Sequence, residues 1–132
     1  MKITELLKAL EETRSGLEAV LASLDDSHLV AANSCGTWSI KDVLAHLTAC
    51  EAEIVTGLSK IRRGQSPGNV EYTDAEIQAQ NEKWWAESRD RPLDRVLADF
   101  HGVRKQLIRQ LESLNDQDLN ASRSWFQKRT IA

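Results

Sequence analysis

The sequence predicts an all-α protein, a bundle of amphipathic helices in a single domain. Apolar residues recur at steps of three and four and almost never alternate, which is the period of helices and not of strands. Glycine, proline and asparagine are concentrated in one stretch, 64–69. A chain of 132 residues with 41% hydrophobic and 28% charged residues can bury one core, so we expect one domain over 1–132.

Two long helices are predicted before that stretch. The first ends at Asp25-Asp26 and is followed by a predicted loop as far as Gly36. The second begins at Ser39, which forms a capping box with Asp42, and ends near Gly64. Their apolar stripes are Ile3, Leu6, Leu7, Leu10, Leu17, Val20, Leu21 and Leu24, then Ile40, Val43, Leu44, Leu47, Ile54, Leu58 and Ile61.

A short helix and a third long one follow the loop, which we interpret as a crossover to another side of the bundle. Thr73 and Glu76 form a capping box for the short, polar helix, which runs to about Arg89. Pro92 opens the last long helix, because proline is tolerated at a helix start, and Asn115-Asp116 ends it. Its stripe is Leu93, Val96, Leu97, Phe100, Val103, Leu107, Ile108, Leu111 and Leu114.

Charge and composition argue against several function classes. The net charge of −3 comes from interspersed acidic and basic residues, which disfavours nucleic-acid binding. No apolar segment is long enough to cross a membrane and the N-terminus lacks a signal-peptide pattern, so we expect a cytoplasmic protein without a membrane partner. Cys35 and Cys50 lack the spacing of a metal or redox pair, which favours reduced thiols.

The run Gly36-Thr37-Trp38-Ser39-Ile40-Lys41-Asp42-Val43-Leu44-Ala45-His46-Leu47 resembles the signature of the DinB-like superfamily, a Trp-Ser helix start with a metal-binding histidine two turns later. The stretch 81–119, with Arg89-Asp90-Arg91-Pro92-Leu93 leading into Val96-Leu97-Ala98-Asp99-Phe100, is similar to members of its ClbS/DfsB branch. The resemblance covers nearly the whole chain. It implies an up-down four-helix bundle with a short crossover helix.

The same resemblance implies a divalent metal, zinc, nickel or iron, held by one histidine of the second helix and two of the last. His46 matches the first ligand, and this chain has no counterpart of the other two. On a helical wheel His46 lies on the flank of its stripe, typical of a boundary residue, although we predict that it faces a cavity between the second and last long helices. Cys50, one turn later, is either a site residue or a small buried one, and His28 and His101 have no metal-ligand spacing.

Glu51 lies near the centre of the second helix's apolar stripe, where a carboxylate would lose water on packing. Two interpretations remain open. It is either a catalytic general base or a group supporting the metal, or it is a structural ion pair with an arginine such as Arg104. In both cases we expect Glu51 to be largely buried and hydrogen-bonded.

Trp84 and Trp85 are adjacent on a helix, so their rings point about 100° apart and one of them should be partly exposed. They form either the wall of a substrate pocket, to which Asn81 could present its amide, or a cover for the rim of the bundle.

Two function classes follow. The resemblance implies a metal-dependent enzyme acting on a reactive small molecule, a thiol S-transferase or a ClbS-like hydrolase. The alternative is a non-catalytic bundle that binds a small apolar ligand or a partner subunit. Three stripes do not close a four-sided core, so we expect a missing last bundle helix, beginning near Thr130-Ile131-Ala132, or a homodimer, with Trp125 and Phe126 anchoring the tail.

Overall fold

The computed structural model describes residues 2–65 and 72–121, with side chains in the second range as far as Asp118. The predictions for the rest of the crossover loop, for Trp125 and Phe126, and for a helix start at Thr130-Ile131-Ala132 lie outside these residues. Within them the chain forms helices α1 (Ile3–Ala22), α2 (Asp26–Val30), α3 (Ile40–Arg62), α4 (Asp74–Ser88), α5 (Leu93–Glu112) and α6 (Asp116–Ala121). The predicted all-α bundle is confirmed.

The predicted capping boxes begin α3 and α4. The backbone N–H of Asp42 donates to the Ser39 hydroxyl at 3.0 Å, and the N–H of Ser39 donates to the Asp42 carboxylate at 3.0 Å. Thr73 and Glu76 repeat this reciprocal pair at 3.1 and 3.3 Å. Each pair satisfies two backbone groups that a helix end leaves without partners, which is why the starts were readable from sequence.

Two short helices were not predicted: α2 lies in the predicted loop after Asp25-Asp26, and α6 follows α5, which ends at Glu112, near the predicted end at Asn115-Asp116. Asp25 caps α2 by accepting from the His28 N–H at 3.1 Å. The Ser27 hydroxyl, more than the His28 N–H, lowers the pKa of the Asp25 carboxyl to about 2. Asn115 likewise accepts from the N–H of Asp118, at 2.8 Å, at the start of α6. Helices this short cannot show a periodic apolar stripe, so their capping residues are the only sequence signal that predicts them.

The core lies between α3 and α5, whose packing is the most extensive in the bundle, while α2 and α4 pack on α3 and α1 on α5. Its buried side chains form two clusters: Ile3, Leu58, Leu107, Leu111 and Leu114, and Leu44, Val96 and Phe100. The Ile3 N–H donates to the Asp116 carboxylate at 2.8 Å and so connects the start of α1 to α6.

Part of the apolar surface stays in contact with water. Leu47, in the middle of the α3 stripe, is 38% exposed, and Val20 on α1 is 58% exposed. In the ranges 2–65 and 72–121, no helix combines the length and the apolar character that crossing a membrane requires.

Candidate functional site

His46 lies between two tryptophan rings. Its ring centroid is 5.5 Å from that of Trp38 and 5.9 Å from that of Trp84, and both pairs are tilted. We expected His46 to face a cavity between α3 and α5. The ring instead contacts α4 through Trp84, because a residue on the flank of the α3 stripe meets the helix that packs beside α3 and not the one opposite.

A tight turn holds Trp38 in place before α3 begins. The Cys35 N–H donates to the Trp38 carbonyl at 2.8 Å, and the Trp38 N–H donates back at 3.2 Å. Gly36 inside this turn has a φ of +67°, a conformation that glycine adopts without strain. The sequence had suggested only a helix-start role for Trp38. Trp38 and His46 are eight positions apart, and this spacing does not predict that their rings contact each other.

The two ring nitrogens of His46 differ in their surroundings. Nε2 lies 3.5 Å from Cys50 Sγ, within hydrogen-bond distance for sulfur. Nδ1 is buried and has no hydrogen-bond partner in the described part of the chain. Burial lowers the pKa of His46 and so favours the neutral ring. If Nε2 carries the hydrogen and donates it to sulfur, Nδ1 presents a buried lone pair, the form that accepts a proton or binds a metal ion.

A cavity of about 220 Å³ lies beside this histidine, between α3, α4 and α5. Trp84 lines this cavity and also contacts His46. We call the other small or apolar lining residues its floor and the charged and other polar ones its rim. The floor residues are Ala45, Thr48, Ala49, Ala52 and Val96. The rim residues are Glu87, Ser88, Arg91 and Asp99.

The other two predicted pocket residues lie elsewhere. Trp85 and Asn81 are half-buried, but neither lines this cavity. Trp85 instead carries the Arg89 guanidinium, 4.9 Å from its ring centroid, and its indole N–H is buried without an acceptor in the described residues. Adjacent helical residues point in different directions, and here only Trp84 points to the cavity.

Glu51 is buried, as predicted, and is paired with arginines from two other helices. Its side chain is 15% exposed. Its Oε1 accepts from Arg14 Nη2 of α1 at 3.3 Å and, at short range, from Arg104 Nη2 of α5, while Oε2 accepts from Arg104 Nε at 3.4 Å. Both oxygens are engaged, which favours the ion-pair interpretation over that of a general base.

This cluster holds two guanidinium groups for one carboxylate. Arg14 and Arg104 are 10% and 19% exposed, and each has a buried Nη1 without a hydrogen-bond partner among the described residues. Burial, and then the charge of Arg104, lower the pKa of Arg14 from its ordinary value. The Arg14 guanidinium also lies 3.9 Å from the centroid of the Phe100 ring, a contact that stabilises a cation.

The remaining histidines are exposed and paired with carboxylates. His28 lies 2.7 Å from Asp25, and His101 lies 3.5 Å from Glu18. Across residues 2–65 and 72–121 there is no group of three His, Cys, Asp or Glu side chains that could hold a metal ion. In this part of the chain Cys50 is the potential ligand seen beside His46, at 3.5 Å from its Nε2.

The chain is similar to a known protein family. Residues 10–131 match the family model of the mycothiol maleylpyruvate isomerase N-terminal domain. No curated protein and no solved structure matches the chain.

Proposed function

Because the chain belongs to the mycothiol maleylpyruvate isomerase N-terminal domain family, part of the DinB/YfiT-like superfamily, we propose that it is a metal-dependent thiol S-transferase acting on a reactive small molecule. The family's name describes an isomerase that works with mycothiol, a thiol. We extend the use of a thiol, but not the isomerisation, to this chain. The resemblance to the ClbS/DfsB branch implies the alternative reaction, a hydrolysis that needs no thiol.

The observation that carries this proposal is the buried, unpartnered Nδ1 of His46. A buried polar atom without a partner destabilises a fold by about 1–3 kcal/mol, so a ligand bound at Nδ1 would stabilise this one. A neutral imidazole nitrogen suits zinc, nickel and iron alike. By accepting a hydrogen bond from Nε2, Cys50 would hold the tautomer whose Nδ1 lone pair is free to bind the metal.

One nitrogen does not make a metal site, and the described residues offer no set of three donors around it. The rest of the chain contains no further histidine or cysteine, so we propose that a second copy of the chain and the thiol substrate supply the remaining ligands. When bound, a divalent metal lowers the pKa of a coordinated thiol and so supplies a thiolate nucleophile at neutral pH.

The chain's own residues would bind and orient the electrophile. Trp84 contacts His46 and also lines the cavity, so the cavity adjoins the proposed metal site. The small side chains of Ala45 and Ala49 leave the room for it. In the reaction the thiol sulfur bonds to an electrophilic carbon, the leaving group departs with its electron pair, and the thiol proton passes to solvent.

Metal content of the full chain, purified without a histidine tag, tests the proposed site. We expect a stoichiometric divalent metal in the wild type and its loss in His46→Gln. His101→Gln is the matched control, because His101 is exposed and pairs with Glu18, and it should keep the metal. Metal-free wild-type protein after supplementation with zinc, nickel and iron, or equal metal in His46→Gln, would refute the proposal.

The reaction class is tested by incubating the metal-loaded protein with an electrophile, with and without a low-molecular-weight thiol. A transferase consumes both reactants one for one and is inactive without the thiol. Loss of the electrophile in the absence of thiol would instead indicate the ClbS-like hydrolase.

The exposed apolar side chain of Leu47 favours a second candidate, a non-catalytic bundle that forms a homodimer. A leucine in the centre of an apolar stripe is normally covered, yet Leu47 is 38% exposed. If a second copy covers it, light scattering should give a dimer for the wild type and a monomer for Leu47→Lys. A wild-type monomer at all concentrations would exclude this candidate.

A further inference from the structure

From its lining groups, we infer that the cavity between α3, α4 and α5 binds a small organic cation, an ammonium group attached to a compact apolar body. That this cation is the substrate rests on the proposed function, whereas its binding in the cavity does not. Three features support it: the charge of the rim, the hydrogen-bonding capacity of the lining, and the size and composition of the floor.

The rim is acidic. Glu87, Asp99 and Arg91 are its charged residues, which gives a net negative charge. Arg91 Nη1 donates to Asp99 Oδ2 at 3.1 Å, so this pair is largely neutralised. Glu87 has no ion-pair or hydrogen-bond partner in the described part of the chain, and its carboxylate is therefore the group left to attract a ligand.

Lys41, which bonds to the backbone of Arg91, does not change this balance. The Lys41 ammonium donates to the carbonyl oxygens of Arg89 and Arg91, at 3.0 and 2.8 Å, and it does not line the cavity. These bonds hold it in the connection between α4 and α5, with its hydrogen atoms directed to the backbone.

The hydroxyl groups of the lining are available mainly as acceptors. Thr48 donates its hydroxyl hydrogen to the Leu44 carbonyl at 2.8 Å, and Ser88 donates to the Trp85 carbonyl at 3.4 Å. Their lone pairs, with the oxygens of Glu87, can accept from a ligand. An ammonium group, with its N–H donors and positive charge, complements these acceptors and Glu87, whereas a carboxylate would have to compete with Asp99 for the Arg91 guanidinium.

The floor sets the size and character of the rest of the ligand. Ala45, Ala49 and Ala52 lie on one face of α3, at steps of four and three, and give the cavity an apolar surface of small side chains. A volume of about 220 Å³ corresponds to about seven liquid waters, room for one ring and a short arm. An indole wall adds attraction for a cation that lies against it.

Three probes of the same shape but different charge test the inference: benzylammonium, benzyl alcohol and benzoate, titrated into the full chain by calorimetry. We expect benzylammonium to bind about fivefold more tightly than benzyl alcohol, as a single exposed carboxylate can provide, and benzoate to bind most weakly. Equal or tighter binding of benzyl alcohol or benzoate, or no saturable binding of benzylammonium at millimolar concentration, would overturn the inference.

Variants of α4 locate the effect. Glu87→Lys should abolish the preference for benzylammonium and favour benzoate, while Glu82→Gln, an exposed residue of the same helix that accepts from Gln78, should change nothing. An unchanged preference in Glu87→Lys would contradict the assignment to this cavity. His46→Gln should lose the proposed metal but keep benzylammonium binding, so the two proposals can fail separately.

Discussion

Replacing Glu51 tests whether the charge cluster of Arg14, Glu51 and Arg104 holds the bundle together. Glu51→Gln keeps a hydrogen-bond acceptor but removes the negative charge, which leaves two buried guanidinium groups facing each other. Removing one partner of a buried ion pair destabilises a protein by about 3–5 kcal/mol. Because the three side chains are 10–19% exposed, water offsets part of this loss. We therefore expect a destabilisation at the lower end of that range, about 3 kcal/mol.

A loss of about 3 kcal/mol is a large part of the 5–15 kcal/mol typical of a domain. For a chain of this length it corresponds to a decrease in Tm of about 10 °C. Urea unfolding followed by circular dichroism measures the free energy, with unchanged m-values as evidence that the unfolding reaction is the same. Glu11→Gln, at an exposed position of α1, is the control and should change stability by less than about 0.5 kcal/mol.

An all-apolar variant separates the charge effect from packing. Arg14→Met, Glu51→Leu and Arg104→Met together should restore stability to within about 1 kcal/mol of the wild type or exceed it, since a buried cluster of charges often contributes less than apolar contacts of equal volume. If Glu51→Gln lowers stability no more than Glu11→Gln does, the reasoning is refuted. The triple variant also tests Glu51 as a general base, because full activity in it would exclude that role.

Two further predictions concern the start and the middle of α3. Ser39→Ala removes a buried cap of α3 and should lower the free energy of unfolding by about 1–2 kcal/mol. The control Ser34→Ala, at an exposed position, should leave it unchanged. Equal effects of the two variants in urea unfolding would contradict the capping role of Ser39. Burial holds the pKa of His46 below its unfolded value of about 6.5, so the unfolded chain binds a proton that the native one does not. Stability should therefore fall as the pH is lowered through about 6.5, and less steeply in His46→Gln; parallel profiles of the urea midpoint would show that His46 does not contribute.

The fold was predictable where a local signal and a long periodic pattern agreed. Ser39 and Thr73 marked the starts of α3 and α4 because a capping box is a local interaction that four residues complete. The short helices after Asp25 and Asn115 were missed because their few residues show no stripe, and these two residues, interpreted as breaks, in fact cap the helices that follow.

The candidate site was predictable in part. The placement of Glu51 in the apolar stripe predicted a buried carboxylate with an arginine partner, and Arg104 is one of its partners. The second partner, Arg14, lies 37 positions away on α1, and no pattern within either helix indicates that they meet. Similarly, the sequence singled out His46 but predicted the wrong neighbouring helix for it, since a helical wheel gives a direction without saying which element lies there.

By itself the sequence determined that this chain is helical, where its long helices begin, and that His46 and Glu51 stand out from their surroundings, because the period of apolar residues and the chemistry of caps act over a few residues. Only the tertiary structure decided that Trp38 and Trp84 flank His46, that two arginines share one carboxylate, and that alanines of α3 leave a cavity beside α4. Such contacts join residues far apart in the chain, and they depend on how the helices rotate and pack on one another, which the periodicity of a single helix does not specify.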